Sequence, residues 1–177
     1  MSIPSRLEHY LTTWGLADAR PLTRTRTSDL YLVSSGAETA VLKLLAPSET
    51  EEQRGALALR CFDGHGAVRL LRHDDGAQLL EYAGGDELIT LVERGDDDQA
   101  TRIVAAVLDQ LHSVAVPAVT DGLFTLERWF RALFVRAAAE REAGRDTIYV
   151  RGAACAEALL ARPRNVRVLH GDIHHRN

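Results

Sequence analysis

The sequence predicts an α+β fold: a small five-stranded antiparallel sheet with one inserted helix, then a helical region. Three observations carry that expectation. Short apolar runs bounded by Gly, Asp and Ser recur from Arg20 to Tyr82. Those strand signals stop after Asp86. Beyond it, apolar residues return three and four apart, the spacing of one helix face. Gly84-Gly85 lets the chain change direction between the two regions. The boundary is therefore placed near residue 84, with one domain over 1–84 and a second over 85–177.

Taken in order, Leu7, Tyr10, Leu11 and Trp14 form one apolar helical face, stopped by Gly15. Arg20 to Arg26 alternates and reads as a strand, with Thr27-Ser28-Asp29 as its turn. Leu30 to Ser35 and Thr39 to Leu45 follow as strands around the Ser35-Gly36 turn. Ser48-Glu49-Thr50-Glu51 matches a capping box and opens a helix to about Phe62. Gly64 and Gly66 close it. Ala67 to His73 and Ala77 to Tyr82 are strands joined by Asp74-Asp75-Gly76, a strong hairpin signal. In the second region Asp96-Asp97-Asp98 read as caps and dipole partners of a helix whose buried face is Ile103, Val104, Val107, Leu108 and Leu111. Leu126, Trp129, Phe130, Leu133 and Phe134 form another stripe, taken as core. Arg145 to Ala161 is a further helix, ended by Pro163. Val166 to Leu169 reads as a short buried strand.

Composition narrows the class. Hydrophobic content is 46% and net charge is -4, a balance that argues against general nucleic-acid binding. No apolar run approaches membrane-spanning length, the first residues lack a signal-peptide core, and a cytosolic setting is expected. Cys61 and Cys155 sit in helix-like segments and read as small core residues rather than a disulfide framework.

Two stretches carry chemistry. Ala40-Val41-Leu42-Lys43-Leu44-Leu45 places one charge inside an apolar strand. Such a lysine either points to solvent on an open face or reaches a bound phosphate, as the strand lysine of kinases does. The chain's last stretch, His170-Gly171-Asp172-Ile173-His174-His175-Arg176-Asn177, sets Asn177 five positions after Asp172. A phosphoryl-transfer site needs a base and a metal ligand on opposite sides of one phosphoryl group, and one tight loop with this spacing supplies both. His170 and His174 have the spacing of two zinc ligands on a helix, but no Cys or third well-spaced ligand accompanies them.

The H-G-D-I-H-x-x-N run resembles the signature of the aminoglycoside phosphotransferases, and most closely the streptomycin 6-phosphotransferase and hydroxyurea resistance kinase branch. Glu52-Gln53-Arg54-Gly55-Ala56, Gly64-His65-Gly66-Ala67-Val68-Arg69-Leu70-Leu71 and Leu79-Leu80-Glu81-Tyr82-Ala83-Gly84 share that likeness. It runs from about Asp29 to Asn177. The resemblance implies a protein-kinase-like fold with an N-lobe and an incomplete helical C-lobe. It implies transfer of the γ-phosphoryl group of ATP, with Mg2+, to a hydroxyl of a small molecule, an aminoglycoside such as streptomycin first. A hydroxyurea-like compound or another small alcohol is the alternative acceptor. In that frame Asp172 is the catalytic base and Asn177 the magnesium ligand, with His170 and His174 supporting the loop. Lys43 reaches the phosphates and Glu52 orients it. Ser28 stands in the first turn, where the family uses hydroxyls and backbone N–H groups in place of glycines. Glu81, Tyr82 and Ala83 form the hinge that meets adenine through backbone. The family's second metal-binding Asp, in an Ile-Asp-Pro-type segment after the loop, is not in this sequence. The chain is therefore expected to be a C-terminally truncated member, inactive on its own, with apolar surface exposed on its helices, and a non-catalytic remnant that at most binds nucleotide weakly is the competing reading.

Overall fold

The structure, a computed structural model, describes the backbone of residues 3–46, 50–116 and 122–176, and side chains over 5–46, 55–116 and 122–176. Helix α1, Ile3–Trp14, ends at Gly15, whose φ of 65° is left-handed and suits glycine. Strands β1 (Leu16–Arg24), β2 (Ser28–Ser35) and β3 (Glu38–Leu45) form a meander. Helix α2 (Thr50–Phe62) follows, then β4 (Leu70–His73) and β5 (Ala77–Glu81). The five strands pair antiparallel in the order β1-β2-β3-β5-β4. This is the sheet with one inserted helix that the apolar patterning predicts.

Several boundaries move, each for a local reason. The first turn lies at residues 25–27, and Ser28 and Asp29 belong to β2. Thr25 is the cause: its Oγ1 accepts from the N–H groups of Thr27 (3.2 Å) and Ser28 (3.0 Å), closing the turn early. Strand β1 starts earlier than predicted and is bulged twice, with Asp18 at φ 52° and its carboxylate accepting from Ser34 Oγ at 2.9 Å. Ser48 and Glu49 of the predicted capping box lie outside the described residues.

The sheet buries an apolar face under α1. Val33, Ala40, Leu42, Leu44, Ala77 and Leu79 pack with Tyr10, and Leu7, Leu11 and Trp14 of α1 close over them. The helix periodicity read from Leu7 to Trp14 therefore meets the strand periodicity of β3 and β5. A polar patch is built into this contact. Tyr10 Oη donates to Asp74 Oδ1 at 2.8 Å, and Asp74 Oδ1 also accepts from the N–H groups of Gly76 (2.8 Å) and Ala77 (3.0 Å) in the hairpin turn. Burial, then the hydrogen bond to Asp74, pushes the Tyr10 phenol up from 10.0 to about 12. The protonated phenol is the form the fold favours. Its stabilisation is complete below the unfolded value near pH 10 and is lost as pH rises through 12. At most about 2–3 kcal/mol should disappear over that window. Denaturation midpoints measured from pH 9 to 12 should fall in wild type and stay flatter in Tyr10→Phe; parallel curves would clear Tyr10 of the effect.

The helical part begins with α3 (Ile89–Glu93), one short turn that sequence patterning did not single out, and α4 (Asp97–Ser113). Asp96 caps α4 by accepting from Gln99 N–H at 3.3 Å, with Asp97 and Asp98 in the first turn, as the acidic run predicts. The next apolar stripe is broken into α5 (Leu126–Trp129) and α6 (Arg131–Glu142), and α7 spans Ile148–Leu160. Contacts divide the chain into two compact units: Met1–Ala118 with Arg167–Asn177, and Val119–Val166.

In the second unit α6 packs against α7. The stripe expected as core is not core throughout: Trp129 is 58% and Leu126 40% exposed. The buried positions of α6 are Ala137 and Glu140 instead. Glu140 is held by Arg136 Nη2 at 2.6 Å on one oxygen and by Arg145 Nε at 2.5 Å on the other. The Arg145 hydrogen bond holds its carboxyl below the usual range. Cys155 is exposed rather than core. It lies one position off the buried Ala153–Ala156 stripe of α7. Val135, Ile148, Tyr149 and Leu159 are exposed too, matching the expected apolar surface on the helices. No helix among the described residues is long and apolar enough to cross a membrane.

Candidate active site

The central strand β3 is buried at Ala40, Val41, Leu42, Leu44 and Leu45, and Lys43 is its half-buried interruption. Lys43 pairs in register with Leu30 of β2 and Gln78 of β5. Alternation puts it on the face of Val41 and Leu45, opposite the Ala40-Leu42-Leu44 face that α1 covers. A lysine at this place is flanked by closed ladders on both sides, so its backbone has one position. Glu52 lies in the first turn of α2, and its side chain is not among those described.

Ser28 is buried at the start of β2, 5% exposed. Its hydroxyl is 3.0 Å from Thr25 Oγ1, so its hydrogen bonding serves the turn itself. At the other end of the sheet, β5 delivers Glu81 directly beside β3 through the Ala40↔Glu81 pair. Glu81 exchanges backbone and side-chain bonds with Arg69. Its N–H donates to Arg69 O at 2.9 Å, and its Oε2 accepts from Arg69 N at 3.0 Å and Nε at 3.4 Å. The backbone donor comes first in holding the Glu81 carboxyl below the usual carboxylate range. Tyr82 and Ala83 follow as exposed, non-strand residues, and Gly84 and Gly85 have φ of 65° and 82°. A cleft of about 340 Å³ lies here, lined by Glu38, Thr39, Arg69, Leu71, Glu81 and Tyr82. Arg69 was not singled out as a site residue, although it stands inside the Gly64–Leu71 stretch.

The last described stretch corrects one expectation. Val166 to Leu169 is neither strand nor buried: Val166 is 59% and Leu169 46% exposed. An extended segment becomes a strand only through a ladder partner, and the described sheet pairs β1 to β5 among themselves. The loop that follows is held to the helices of its own unit. Arg167 Nε donates to His112 O of α4 at 2.8 Å, and Ile89 N–H at the start of α3 donates to His175 O at 2.9 Å. Longer contacts set His175 Nε2 3.9 Å from Asp97 Oδ1 and pair Arg176 with Glu87 at 3.9 Å. Asp97 therefore faces the loop as well as starting α4, a contact that its place in an acidic run conceals.

Within the loop, His170 Nδ1 accepts from Asp172 N–H at 3.4 Å and His174 Nδ1 accepts from Arg176 N–H at 3.1 Å. His174 Nε2 stands 3.8 Å from Asp172 Oδ2. Gly171 has φ 85°, and a Cβ there would meet nothing within 4 Å, so backbone conformation rather than space demands glycine. The Asp172 side chain is 81% exposed. A carboxylate so placed is open to an incoming hydroxyl. Asn177 lies outside the described residues.

The sequence matches the family model of the aminoglycoside/hydroxyurea antibiotic resistance kinases over residues 13–177. The chain belongs to this family. Among relatives, it is 36% identical to the streptomycin 3''-kinase of Klebsiella pneumoniae, covering 93% of this chain and 59% of that one. It is also 36% identical to the hydroxyurea phosphotransferase of Kitasatospora aureofaciens, covering 99% and 52%. The streptomycin 6-kinase of Streptomyces griseus matches at 36% over 78% of this chain and 45% of its own. The chain thus spans about half the length of the curated relatives it matches. Among solved structures, the APH(2")-IIa complex with streptomycin and ATP superposes with a TM-score of 0.53 at 16% identity, covering 81% of this chain and 52% of that one. That likeness establishes the kinase-like α+β fold.

For this kinase family member, the metal question turns on donor chemistry. Magnesium is typically held by one or two side-chain oxygens together with substrate phosphates and water, not by an all-protein cage. Asn177 offers one such oxygen, five positions after Asp172 in the sequence. Among the described residues no cluster of three His, Cys, Asp or Glu side chains is placed for a metal.

Proposed function

We propose that this chain carries the ATP-binding lobe and catalytic loop of a small-molecule phosphotransferase, with residues 1–84 holding nucleotide and residues 85–177 carrying the loop. The observation that supports it best is the loop itself: Asp172 stands open to solvent at 81% exposure while Arg167 and His175 tie its flanks to α4 and α3. In the proposed reaction the acceptor hydroxyl oxygen attacks the γ-phosphorus of ATP. The bond from that phosphorus to the bridging oxygen breaks, ADP leaves, and Asp172 takes the hydroxyl proton. Lys43 holds the α- and β-phosphates, Glu52 orients Lys43, and adenine meets the backbone of Glu81, Tyr82 and Ala83. Ser28, at the start of β2, is the residue of the first-turn region assigned to the nucleotide. Asn177 is the residue that would hold Mg2+, which supplies charge neutralisation on the phosphate oxygens when bound. His170 and His174 set the loop's shape through the bonds described above.

Streptomycin is the first acceptor to test, because two of the relatives above are streptomycin kinases, and hydroxyurea is the second, from the Kitasatospora relative. A cytoplasmic location, where ATP is supplied, goes with this reading. The deciding experiment is nucleotide binding. Lys43→Ala removes a charge-assisted phosphate contact worth about 1.5–3 kcal/mol, so calorimetric ATP affinity should fall roughly ten- to hundredfold. Equal affinity in the two proteins, or no binding by wild type, overturns the nucleotide-binding assignment.

A further inference from the structure

We propose that Arg6 and Tyr10 of α1 are positioning residues for Lys43, acting through the end of β3; this rests on reading Lys43 as the phosphate-binding lysine. The observation is a compact polar clamp two residues beyond it. Arg6 Nη2 donates to both Leu45 O (2.7 Å) and Gly76 O (2.8 Å). Leu45 N–H donates to the same Gly76 carbonyl at 2.9 Å. Tyr10, 7% exposed, holds the turn from the other side through Asp74 Oδ1, which also binds Gly76 and Ala77 N–H. The approach is close enough that a Cβ on Gly76 would lie 2.5 Å from Tyr10 Oη. One guanidinium nitrogen thus joins the last residue of β3 to the hairpin turn preceding β5 by donating to both carbonyls, from a side chain that stays charged at all relevant pH.

The position of the clamp decides what it controls. Lys43 pairs with Gln78, and the next pair toward the clamp is Leu44↔Ala77, adjoining Leu45 and Gly76. The opposite end of the same ladder is Ala40↔Glu81, at the hinge. The Ser28↔Leu45 pairing to β2 and the Leu45 N–H bond to Gly76 O persist without the clamp, so loosening it shifts the phosphate end of β3 slightly rather than unpairing it, and leaves the adenine end as it was. Small displacements of a positioned charge are costly to function.

The test compares two ligands, AMP-PNP and adenosine, by calorimetry on wild type, Arg6→Met, Tyr10→Phe and Lys43→Ala, with folding checked by circular dichroism. Arg6→Met keeps the aliphatic stem and removes both donors. It should weaken AMP-PNP by about three- to tenfold, a part of the loss that removing the Lys43 contact outright brings, while adenosine affinity stays within about twofold. Tyr10→Phe should act in the same direction by a smaller factor, and it carries the test if Arg6→Met fails to fold. Equal weakening of both ligands would make the clamp merely structural, and unchanged AMP-PNP affinity would remove it altogether. Either result overturns the proposal. The underlying reading fails separately, and visibly, if Lys43→Ala shows no loss selective for the triphosphate.

Discussion

In a protein that joins this chain to the family's Ile-Asp-Pro segment, replacing Asp172 with Asn is expected to lower single-turnover phosphoryl transfer by roughly 10²- to 10⁴-fold while leaving ATP affinity within about twofold. Asn has the same shape but cannot take the acceptor's proton. The loop should keep its form, because the bonds that shape it use backbone and histidine atoms: Asp172 N–H to His170, Arg176 N–H to His174, Ile89 N–H to His175 O. The His174 contact to the carboxylate is long, at 3.8 Å, and exposed, so its loss should matter little. Rapid-quench assays with streptomycin and with hydroxyurea as acceptors measure the effect. Transfer at the wild-type rate by Asp172→Asn would remove this residue from the mechanism. ATP binding without transfer to either acceptor in wild type would favour the non-catalytic reading.

The second large effect is structural. Gly66→Ala should destabilise the first unit by about 2–4 kcal/mol, combining a left-handed backbone with an overpacked contact. Gly66 has φ 77°, and a Cβ there would lie 2.9 Å from the Val107 carbonyl oxygen and 3.0 Å from Leu111 Cγ, both in α4. Leu111 is 2% exposed and has no room to retreat. Gly64 is the control: its φ is 85°, but its Cβ would meet only the flexible Arg69 side chain, at 3.0 Å. Gly64→Ala should therefore cost only the backbone part, about 1–2 kcal/mol. Urea denaturation of the two variants separates the effects. Equal losses would show that the approach of the α2–β4 link to α4 is not tight in solution.

What could be read from sequence here follows from how far each signal reaches along the chain. The sheet was legible because alternation in β2, β3 and β5 is local, and Asp96 was legible because a cap acts over three residues. Val166 to Leu169 misled because four apolar residues say nothing about whether a ladder partner is at hand. Trp129 misled because a stripe at helical spacing assumes an unbroken helix, and the chain turns at Phe130 between α5 and α6. In the candidate site, the Asp172 loop and Lys43 were visible as motifs. The clamp of Arg6, Tyr10, Asp74 and Gly76 was not, since its members stand up to 70 residues apart and leave no period.

The bulges in β1 have a consequence for how this protein behaves in concentrated solution. A sheet edge with a regular row of free N–H and C=O groups invites a strand from another molecule. Here β1 interrupts that row with Pro21 and two register shifts, and the opposite edge, β4, is four residues long with a shift of its own. Neither border offers a straight template for intermolecular pairing. If the protein self-associates, the contact should therefore be sought on the apolar residues left open along α5, α6 and α7, and it should weaken with added arginine or mild detergent rather than show the growing β-signal of strand addition.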